Sequence, residues 1–250
     1  MKKCIYLCST FCLIISFNIQ QSFAQAALSD SSSQHNAFNN AVTLYNTSVG
    51  NQALIFTGPE YYFYDPHIKG NAYFLEVNGF TPGTVYYDGV LYNHISMLYD
   101  LNTDQVVVLL PNHIAKFSII KERVKSFDFL GHHFININAD TLAENAGIKS
   151  GYYDQLYNGK TEILGKYSKS IQTTTGGVLG LENYFSDSKD FYVKRNNVYK
   201  SISSQGSLLD VLKDKKKELK QYIKANNIKY RDNPEEAMVK IATWYDQLTK

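Results

Sequence analysis

Between Leu54 and about Ser204 the chain consists of short aromatic and β-branched runs separated by turn-forming pairs. In VYYDGVLYN, residues 85–93, Asp88-Gly89 separates two runs of Tyr, Val and Leu. Asp-Gly favours a two-residue hairpin turn, because both of its positions adopt positive φ. Asn158-Gly159 and, more weakly, Asn196-Asn197 repeat the pattern. We therefore predict antiparallel hairpins, and this turn geometry accounts for Asp88 without a ligand.

The aromatic residues of the chain support the same prediction. The chain holds 20 Tyr and 14 Phe against one Trp, and flat rings pack well across neighbouring strands. Candidate strands lie at residues 53–57, 61–64, 72–77, 84–87, 90–99, 105–110, 115–120, 124–129, 134–138, 152–157, 160–169, 190–194 and 198–202.

The pattern becomes helical near Ser207. Residues 207–227 place leucines on one side and lysines on the other, with Ser207 as the expected N-cap. The lysines at 215–217 have acidic neighbours at helical spacing, Asp210, Asp214 and Glu218, which indicates a solvated helix face. Asn233-Pro234 then begins a second helix that has an apolar side. We predict a C-terminal helical hairpin at 206–250, packed on a β-domain at 51–205.

The N-terminus has the layout of an export signal. Lys2 and Lys3 precede an almost wholly apolar stretch at 4–17, and the small residues of SFAQAA suit cleavage after Ala24 or Ala26. The apolar stretch is shorter than the roughly 20 residues that cross a bilayer. We predict a signal peptide at 1–26, a flexible leader at 27–50, and an exported mature chain without a transmembrane span.

The composition of the mature chain excludes several functions. All three cysteines, Cys4, Cys8 and Cys12, lie in the signal, so no disulfide, thiolate metal site or cysteine nucleophile can form. Lys2 and Lys3 are two of the 25 basic residues, which leaves 23 against 23 acidic residues. Such a near-neutral chain lacks the basic surface that binding to nucleic acid requires.

Catalytic motifs are missing from the sequence, including the phosphate loop, the dinucleotide fingerprint, the serine-hydrolase elbow and H-E-x-x-H. The main histidine feature is GHHF at 131–134. In an uninterrupted strand His133 shares the face of Phe127 and Phe129, and a turn at Leu130-Gly131 would reverse this parity. A weak alternative is a metal site, formed by His132 or His133 with His94 or His113. No cofactor is predicted.

The tyrosines offer a candidate ligand surface. Exposed rings can stack on sugars or line a groove for an apolar ligand. The alternative is that the same rings pack on the faces of the sheet. The candidate group is Tyr61, Tyr62, Tyr64, Tyr86, Tyr87 and Tyr92.

Several segments occur in an order that resembles a known family. They are EYY near residue 60, VYYDGVLY at 85–92, LYDLNTDQVV at 98–107, VKSFDFLGHHF at 124–134, GYYDQLYNGK at 151–160 and the helical C-terminus. In this order the chain resembles a family of uncharacterised exported proteins of Bacteroidota over most of its mature length. The resemblance implies a Gram-negative envelope location and one shared architecture. It implies no activity and no catalytic residues.

These observations predict an α+β protein. Its main part is a largely antiparallel β-sheet, arranged as a sandwich or a partial barrel, with the helical hairpin at its C-terminus. We expect an exported envelope protein, periplasmic, associated with the outer membrane or secreted. The expected function is non-catalytic binding or a structural role, with a protein, glycan or lipid as the partner. The alternative is a cysteine-free hydrolase that uses carboxylates or a histidine-bound metal.

Overall fold

The computed structural model describes residues 53–142, 147–176 and 180–250, with a few helical positions between 36 and 48. The predicted signal peptide at 1–26 and most of the predicted leader at 27–50 lie outside the described residues. Within the described part, ten strands form one antiparallel sheet. They are β1 (Thr81–Tyr87), β2 (Val90–Asp100), β3 (Gln105–Leu109), β4 (Lys116–Ser118), β5 (Val124–Phe129), β6 (His132–Ile137), β7 (Gly151–Asn158), β8 (Glu162–Thr175), β9 (Leu181–Arg195) and β10 (Val198–Ile202).

The order of the strands across the sheet is β10-β9-β8-β7-β6-β5-β1-β2-β3-β4. Nearly every strand therefore pairs with its neighbour along the chain, as hairpin connections require. The two outermost of these strands are not paired with each other, so the sheet is not closed into a barrel. At the β4 side, residues 59–61 continue the pairing: Tyr61 N–H donates to Lys116 O at 2.9 Å, and Ser118 N–H donates to Pro59 O at 2.9 Å.

The sheet is strongly bent. Strands β2 and β7 are four places apart in the order, which corresponds to roughly 19 Å in a flat sheet. Yet the ring centroids of Tyr99 in β2 and Tyr152 in β7 are 5.8 Å apart. In the same buried cluster Phe127 packs against both rings, and Phe134 packs against Tyr99. Aromatic side chains from distant strands therefore form the core on the inner face of the bend.

Two predicted turns are confirmed by the backbone. Asp88 and Gly89 have φ of 52° and 81° between β1 and β2, and Asn196 and Asn197 have φ of 51° and 61° between β9 and β10. A two-residue turn at Asn158-Gly159 is wrong. There β7 ends at Asn158 and β8 begins at Glu162, because Asp246 of the C-terminal helix holds Thr161 by its N–H and its hydroxyl.

Three of the predicted strands are wrong. Residues 53–57 and 72–77 contain the 3-10 turns Leu54–Phe56 and Phe74–Glu76, and residues 61–64 outside the pairing just described form no strand. Ile55 and Phe74 are fully buried. Their apolar runs fill the core as irregular segments, and such short runs do not reveal whether a strand partner exists.

The C-terminal helices cover the other end of the sheet. They are α1 (Gln205–Val211), α2 (Lys216–Ala225) and α3 (Pro234–Leu248), and the 3-10 turn Lys213–Lys215 splits the first predicted helix in two. Ser204 caps α1, and Ser207 is the third helical residue of its capping box. Asn233 caps α3, as predicted. Buried side chains of the three helices pack on β8, β9 and β10 in a second, mainly aliphatic core.

These features confirm the predicted α+β class. Among the described residues, no helix is long and apolar enough to cross a membrane.

Candidate functional site: the cleft around His132

The six candidate tyrosines do not form one ligand surface. Tyr61, Tyr87 and Tyr92 are buried, so their rings belong to the interior. Tyr62 is 73% exposed, and its hydroxyl donates to Glu60. Tyr86 is half-buried beneath Lys125, on the opposite side of β1 from Tyr87. The prediction of a shared platform is wrong at the buried positions. Strand alternation turns the rings of Tyr87 and Tyr92 into the core, and Tyr61 is buried in the segment beside β4, where its hydroxyl bonds to Asp100.

Tyr64 borders a small recess of about 310 Å³. Its hydroxyl donates to the buried carboxylate of Asp100, and Tyr61 donates to the same oxygen, each at 2.9 Å. Asp100 also accepts from the backbone N–H of Asn102 and Thr103. Burial raises the pKa of Tyr64 to about 12. These bonds hold the turn after β2, which gives Tyr64 a structural role.

The four candidate histidines are not grouped around a metal. His94 and His113 are exposed, at backbone positions with positive φ. Within residues 53–142, 147–176 and 180–250, no cluster of three or more His, Asp or Glu side chains is arranged to hold a metal ion. The metal alternative therefore finds no ligand set in that part of the chain.

A tight turn before His132 decides which of the two adjacent histidines faces the core. Leu130 and Gly131 have φ of 52° and 81° between β5 and β6. The turn places His132 opposite Phe129 and His133 opposite Asp128. His132 therefore points to the inner face, like Phe134 two residues later, and His133 points outward. The uninterrupted-strand parity, which buries His133, is wrong for this physical reason.

His132 forms a dyad with a buried carboxylate. Its Nδ1 lies 2.6 Å from Oδ2 of Asp154 in β7, whose side chain is 3% exposed. The His132 side chain is 27% exposed, and its ring packs edge-on against Phe74 at 5.0 Å. Its Nε2 has no hydrogen-bond partner among the described residues. The hydrogen bond to Asp154 raises the pKa of His132 above its ordinary value, against the opposing effect of burial.

The ring of His132 lines a cleft of about 420 Å³. We call this recess the His132 cleft. Its floor is apolar and its walls carry charged and hydroxyl groups. The lining residues are Phe74, Leu75, Glu76, Leu101, His132, Tyr167, Ser168, Lys169, Asp187, Ser188, Lys189 and Glu235. They come from β6, β8, β9, the turn after β2, the 3-10 turn at 74–76 and the first turn of α3.

One wall of the cleft is built around Lys169. Its side chain is 3% exposed; the ammonium pairs with Glu76, lies 3.4 Å from Asp187 and donates to Asn71 O at 2.9 Å. Glu76 and its neighbour Leu75 have φ of 55° and 51°. Non-glycine residues rarely adopt this conformation, and such strain is concentrated at functional sites. The side chain of Leu75 is 57% exposed at the cleft, so burial of this side chain does not account for its strained backbone.

The opposite wall joins the dyad to α3. The hydroxyl of Tyr167 lies 3.1 Å from Oδ2 of Asp154 and 3.2 Å from Oε1 of Glu235. Lys189 lies 3.2 Å from the same Glu235 oxygen and sits over the Tyr167 ring at 5.0 Å. Burial and the two carboxylates raise the pKa of Tyr167, so it stays protonated. Its single proton can bond to one carboxylate at a time.

A larger recess of about 730 Å³ lies between the start of α1 and the loop before α3. It is more open than the His132 cleft, and its charged groups, Lys229, Arg231 and Asp232, stand on exposed loop positions. Size alone favours this recess. Buried polar groups that converge on a partly enclosed space are the better mark of a ligand site, and they favour the His132 cleft.

Of the residues that form this cleft, the sequence singled out His132 alone. Asp154 did carry a signal in GYYDQLYN, where it stands two residues after Tyr152 and so shares the buried face of β7. An acidic residue at a core position of a strand requires a partner. Tyr167, Lys169, Lys189 and Glu235 had no comparable signal, because their meeting depends on the bend of the sheet and on the position of α3.

Comparison of the chain with protein-family models, with curated protein sequences and with solved structures gives no match.

Proposed function

We propose that this chain is an exported binding protein of the cell envelope, that the His132 cleft is its ligand site, and that the ligand is a saccharide or a similar small polyhydroxy compound. The proposal rests on one observation: the cleft has an apolar floor, and its walls carry both hydrogen-bond donors and hydrogen-bond acceptors. Export rests on the layout of the N-terminal sequence.

The chemistry of the lining favours a sugar. A sugar ring has apolar C–H faces and hydroxyl groups that both donate and accept hydrogen bonds. Phe74 and Leu101 supply the apolar floor, and Lys189 and Glu235 supply a donor and an acceptor at the rim. A volume of about 420 Å³ falls within the usual range of small-ligand sites, roughly 300–1,000 Å³.

A lipid fits less well. The inner face of the bent sheet is apolar, but its own rings fill it: Phe127 and Phe134 are stacked at 4.7 Å, and Tyr99 packs edge-on against both. The space that remains in the His132 cleft is bordered by ion pairs, and an acyl chain there would remove them from water without replacing their hydrogen bonds.

Saturation-transfer NMR on the mature chain, residues 27–250, with a panel of neutral mono- and disaccharides tests the proposal. Lys189→Ala removes an exposed charged donor of the cleft, and we expect about tenfold weaker binding. Lys194→Ala is a matched control on the same strand: Lys194 also sits over a tyrosine, Tyr199 at 5.2 Å, and pairs with a glutamate, Glu162 at 3.4 Å, but lies outside the cleft.

Equal binding by the wild type and Lys189→Ala would reject the cleft as the site. No transfer to any saccharide, with signals from an amphiphile instead, would reject the ligand class.

A further inference from the structure

We propose that the His132 cleft also hydrolyses carboxylic esters, with Nε2 of His132 as the general base that activates a water molecule. The substrate class that follows is an O-acylated saccharide, and this part rests on the proposed function. The general base itself rests on the geometry of the dyad.

The arrangement of the dyad suits a base. Asp154 is buried and bonded to Nδ1 of His132, which fixes the tautomer and the orientation of the ring. In the neutral ring the other nitrogen, Nε2, therefore carries no proton and can accept one. The hydroxyl of Tyr167 lies 3.1 Å from the same Asp154 oxygen, so the carboxylate has polar neighbours on two sides. A partly exposed ring that lines a cleft can reach a water molecule there.

Two observations indicate water as the nucleophile. No serine or threonine hydroxyl in the described part of the chain lies within hydrogen-bond distance of Nε2, although Ser168 and Ser188 line the cleft. The mature chain also contains no cysteine. A histidine that removes a proton from water needs only that water and an electrophile beside it.

The charges of the cleft favour a neutral electrophile. Lys169 is neutralised by Glu76 and Asp187, and Lys189 is paired with Glu235. A phosphodiester would meet these carboxylates without a surplus of cations. The carbonyl group of an ester carries no charge. An oxyanion that develops on it can be stabilised by Lys189, since only one of the three ammonium donors is used by Glu235.

The reaction balances with water alone. Nε2 takes a proton from water while the water oxygen bonds to the acyl carbon and the carbonyl electrons move onto oxygen. When the tetrahedral intermediate collapses, the bond from the acyl carbon to the alkoxy oxygen breaks. The departing alkoxide takes the proton from Nε2, and Nδ1 keeps its own proton beside Asp154. The products are a carboxylic acid and a free hydroxyl group.

The neighbouring histidine provides a matched control. His133 also has its Nδ1 2.6 Å from an aspartate, Asp128, but that side chain is 59% exposed and the pair lies on the outer face. With 4-nitrophenyl acetate and per-O-acetylated glucose as probes, we expect His132→Gln to lower kcat/KM at least 100-fold, the typical contribution of a general base being about 10²–10⁴. We expect His133→Gln to stay within about twofold, as for a residue outside the site.

The pH profile gives a second test that needs no variant. The rate is expected to rise as pH passes through the pKa of His132, and then to level off. The groups that face His132 are Asp154 from β7, Tyr167 from β8, Lys189 from β9 and Glu235 from α3.

Chemical modification of His132 gives a third test. We expect the rate of hydrolysis to fall in proportion to the fraction of His132 that diethyl pyrocarbonate has acylated, as measured by mass spectrometry.

Equal rates for the wild type and His132→Gln, or an equal loss for His133→Gln, would overturn the inference. If His132→Gln does not fold, as judged by circular dichroism, the modification experiment decides: hydrolysis that survives complete acylation of His132 overturns it. Saccharide binding without ester hydrolysis rejects this inference and leaves the proposed function. Hydrolysis without saccharide binding keeps the base and rejects the proposed ligand class.

Discussion

Two adjacent histidines make the same hydrogen bond in different surroundings. His132 and His133 each have Nδ1 2.6 Å from an aspartate oxygen. Asp154 is 3% exposed and Asp128 is 59% exposed. A hydrogen bond to a charged group is stronger where water is excluded, because the local dielectric constant is lower. The pKa shift of His132 reflects the buried pair, and the contrast makes His133 an internal reference for every experiment on the cleft.

The partly buried carboxylate of Asp104 holds the bend of the sheet. Asp104, in the turn between β2 and β3, lies 2.7 Å from Lys166 of β8 and also pairs with Lys121. It accepts from the Tyr99 hydroxyl at 2.6 Å and from the backbone N–H of Tyr152. Burial by itself would raise the pKa of Asp104, but the two lysines outweigh it and the pKa lies below the usual aspartate value. Ionised Asp104 therefore joins parts of the sheet that are distant in strand order.

We expect Asp104→Asn to lower the free energy of unfolding by about 2–3 kcal/mol, since it leaves the partly buried Lys166 without its counter-ion. Urea denaturation at neutral pH measures the loss. Asp232→Asn is the control: Asp232 is 68% exposed and 3.9 Å from Lys229, and a change within about 0.5 kcal/mol is expected.

We also expect the loss of stability caused by Asp104→Asn to depend on pH. The folded pKa of Asp104 lies below the unfolded one, so its contribution is fully present above about pH 4, the unfolded value. It is lost as pH falls through the folded pKa. The difference in Tm between the wild type and Asp104→Asn should therefore narrow on acidification. A difference that widens would contradict the assignment.

At the scale of elements, hairpin turns set the register of the sheet. Gly89 has φ of 81° and no atom within 4 Å of an added Cβ. We expect Gly89→Ala to cost about 1 kcal/mol through backbone strain alone. Gly79→Ala is the matched control, because it also meets no atom within 4 Å and its φ lies outside the left-handed region. Equal melting temperatures for the two variants would show that the turn carries no strain.

Hairpins and helices were predictable where a local signal fixes the backbone. Asn196-Asn197 shows this well, since both residues readily adopt positive φ. The turn at Leu130-Gly131 is harder to recognise, because leucine rarely occupies that region. The prediction of a two-residue turn at Asn158-Gly159 is wrong for a different reason. A helix residue nearly ninety positions away, Asp246, holds the loop, and no local pattern contains that contact.

The candidate site was less predictable than the fold. His132 could be named from the sequence, and the two possible parities of GHHF were clear. Choosing between them required knowing whether the strand is interrupted. Tyr167 and Glu235 are 68 positions apart and meet at 3.2 Å because the first turn of α3 lies beside β8. Such a contact depends on packing between elements, and one sequence without local motifs does not specify it.

At the scale of the whole molecule, the sheet and the helices share one core. Residues Ala41–Lys250 form one compact unit. Ile163 of β8 and Val193 of β9 pack in the same cluster as Leu208, Leu219 and Ile241 of the helices. The strands that line the His132 cleft, β8 and β9, are therefore supported from the helical side as well. We infer that the helices and the sheet unfold together.

The single tryptophan of the chain tests this inference. Trp244 of α3 is stacked on Tyr222 of α2 at 4.8 Å, so its fluorescence reports the helices. Near-UV circular dichroism at tyrosine wavelengths reports mainly the sheet, whose core holds Tyr87, Tyr99 and Tyr152. We expect both signals to change at the same urea concentration. Ile241→Ala, with a typical cost of about 2–5 kcal/mol, should lower both midpoints equally. A shift in fluorescence alone would show that the helices unfold separately.

The pairing of residues 59–61 with β4 has a consequence for solubility. An open sheet ends in unpaired backbone groups, which can recruit a strand from another molecule and start aggregation. Here the chain lays its own segment along that margin, and the segment begins with Pro59, which has no N–H to offer. A second molecule that approaches this edge finds only a short, interrupted row of backbone N–H donors. The sheet can therefore stay open at this edge, as the cleft between its bent strands requires. It does so without a long row of unpaired backbone groups on which a fibre could grow.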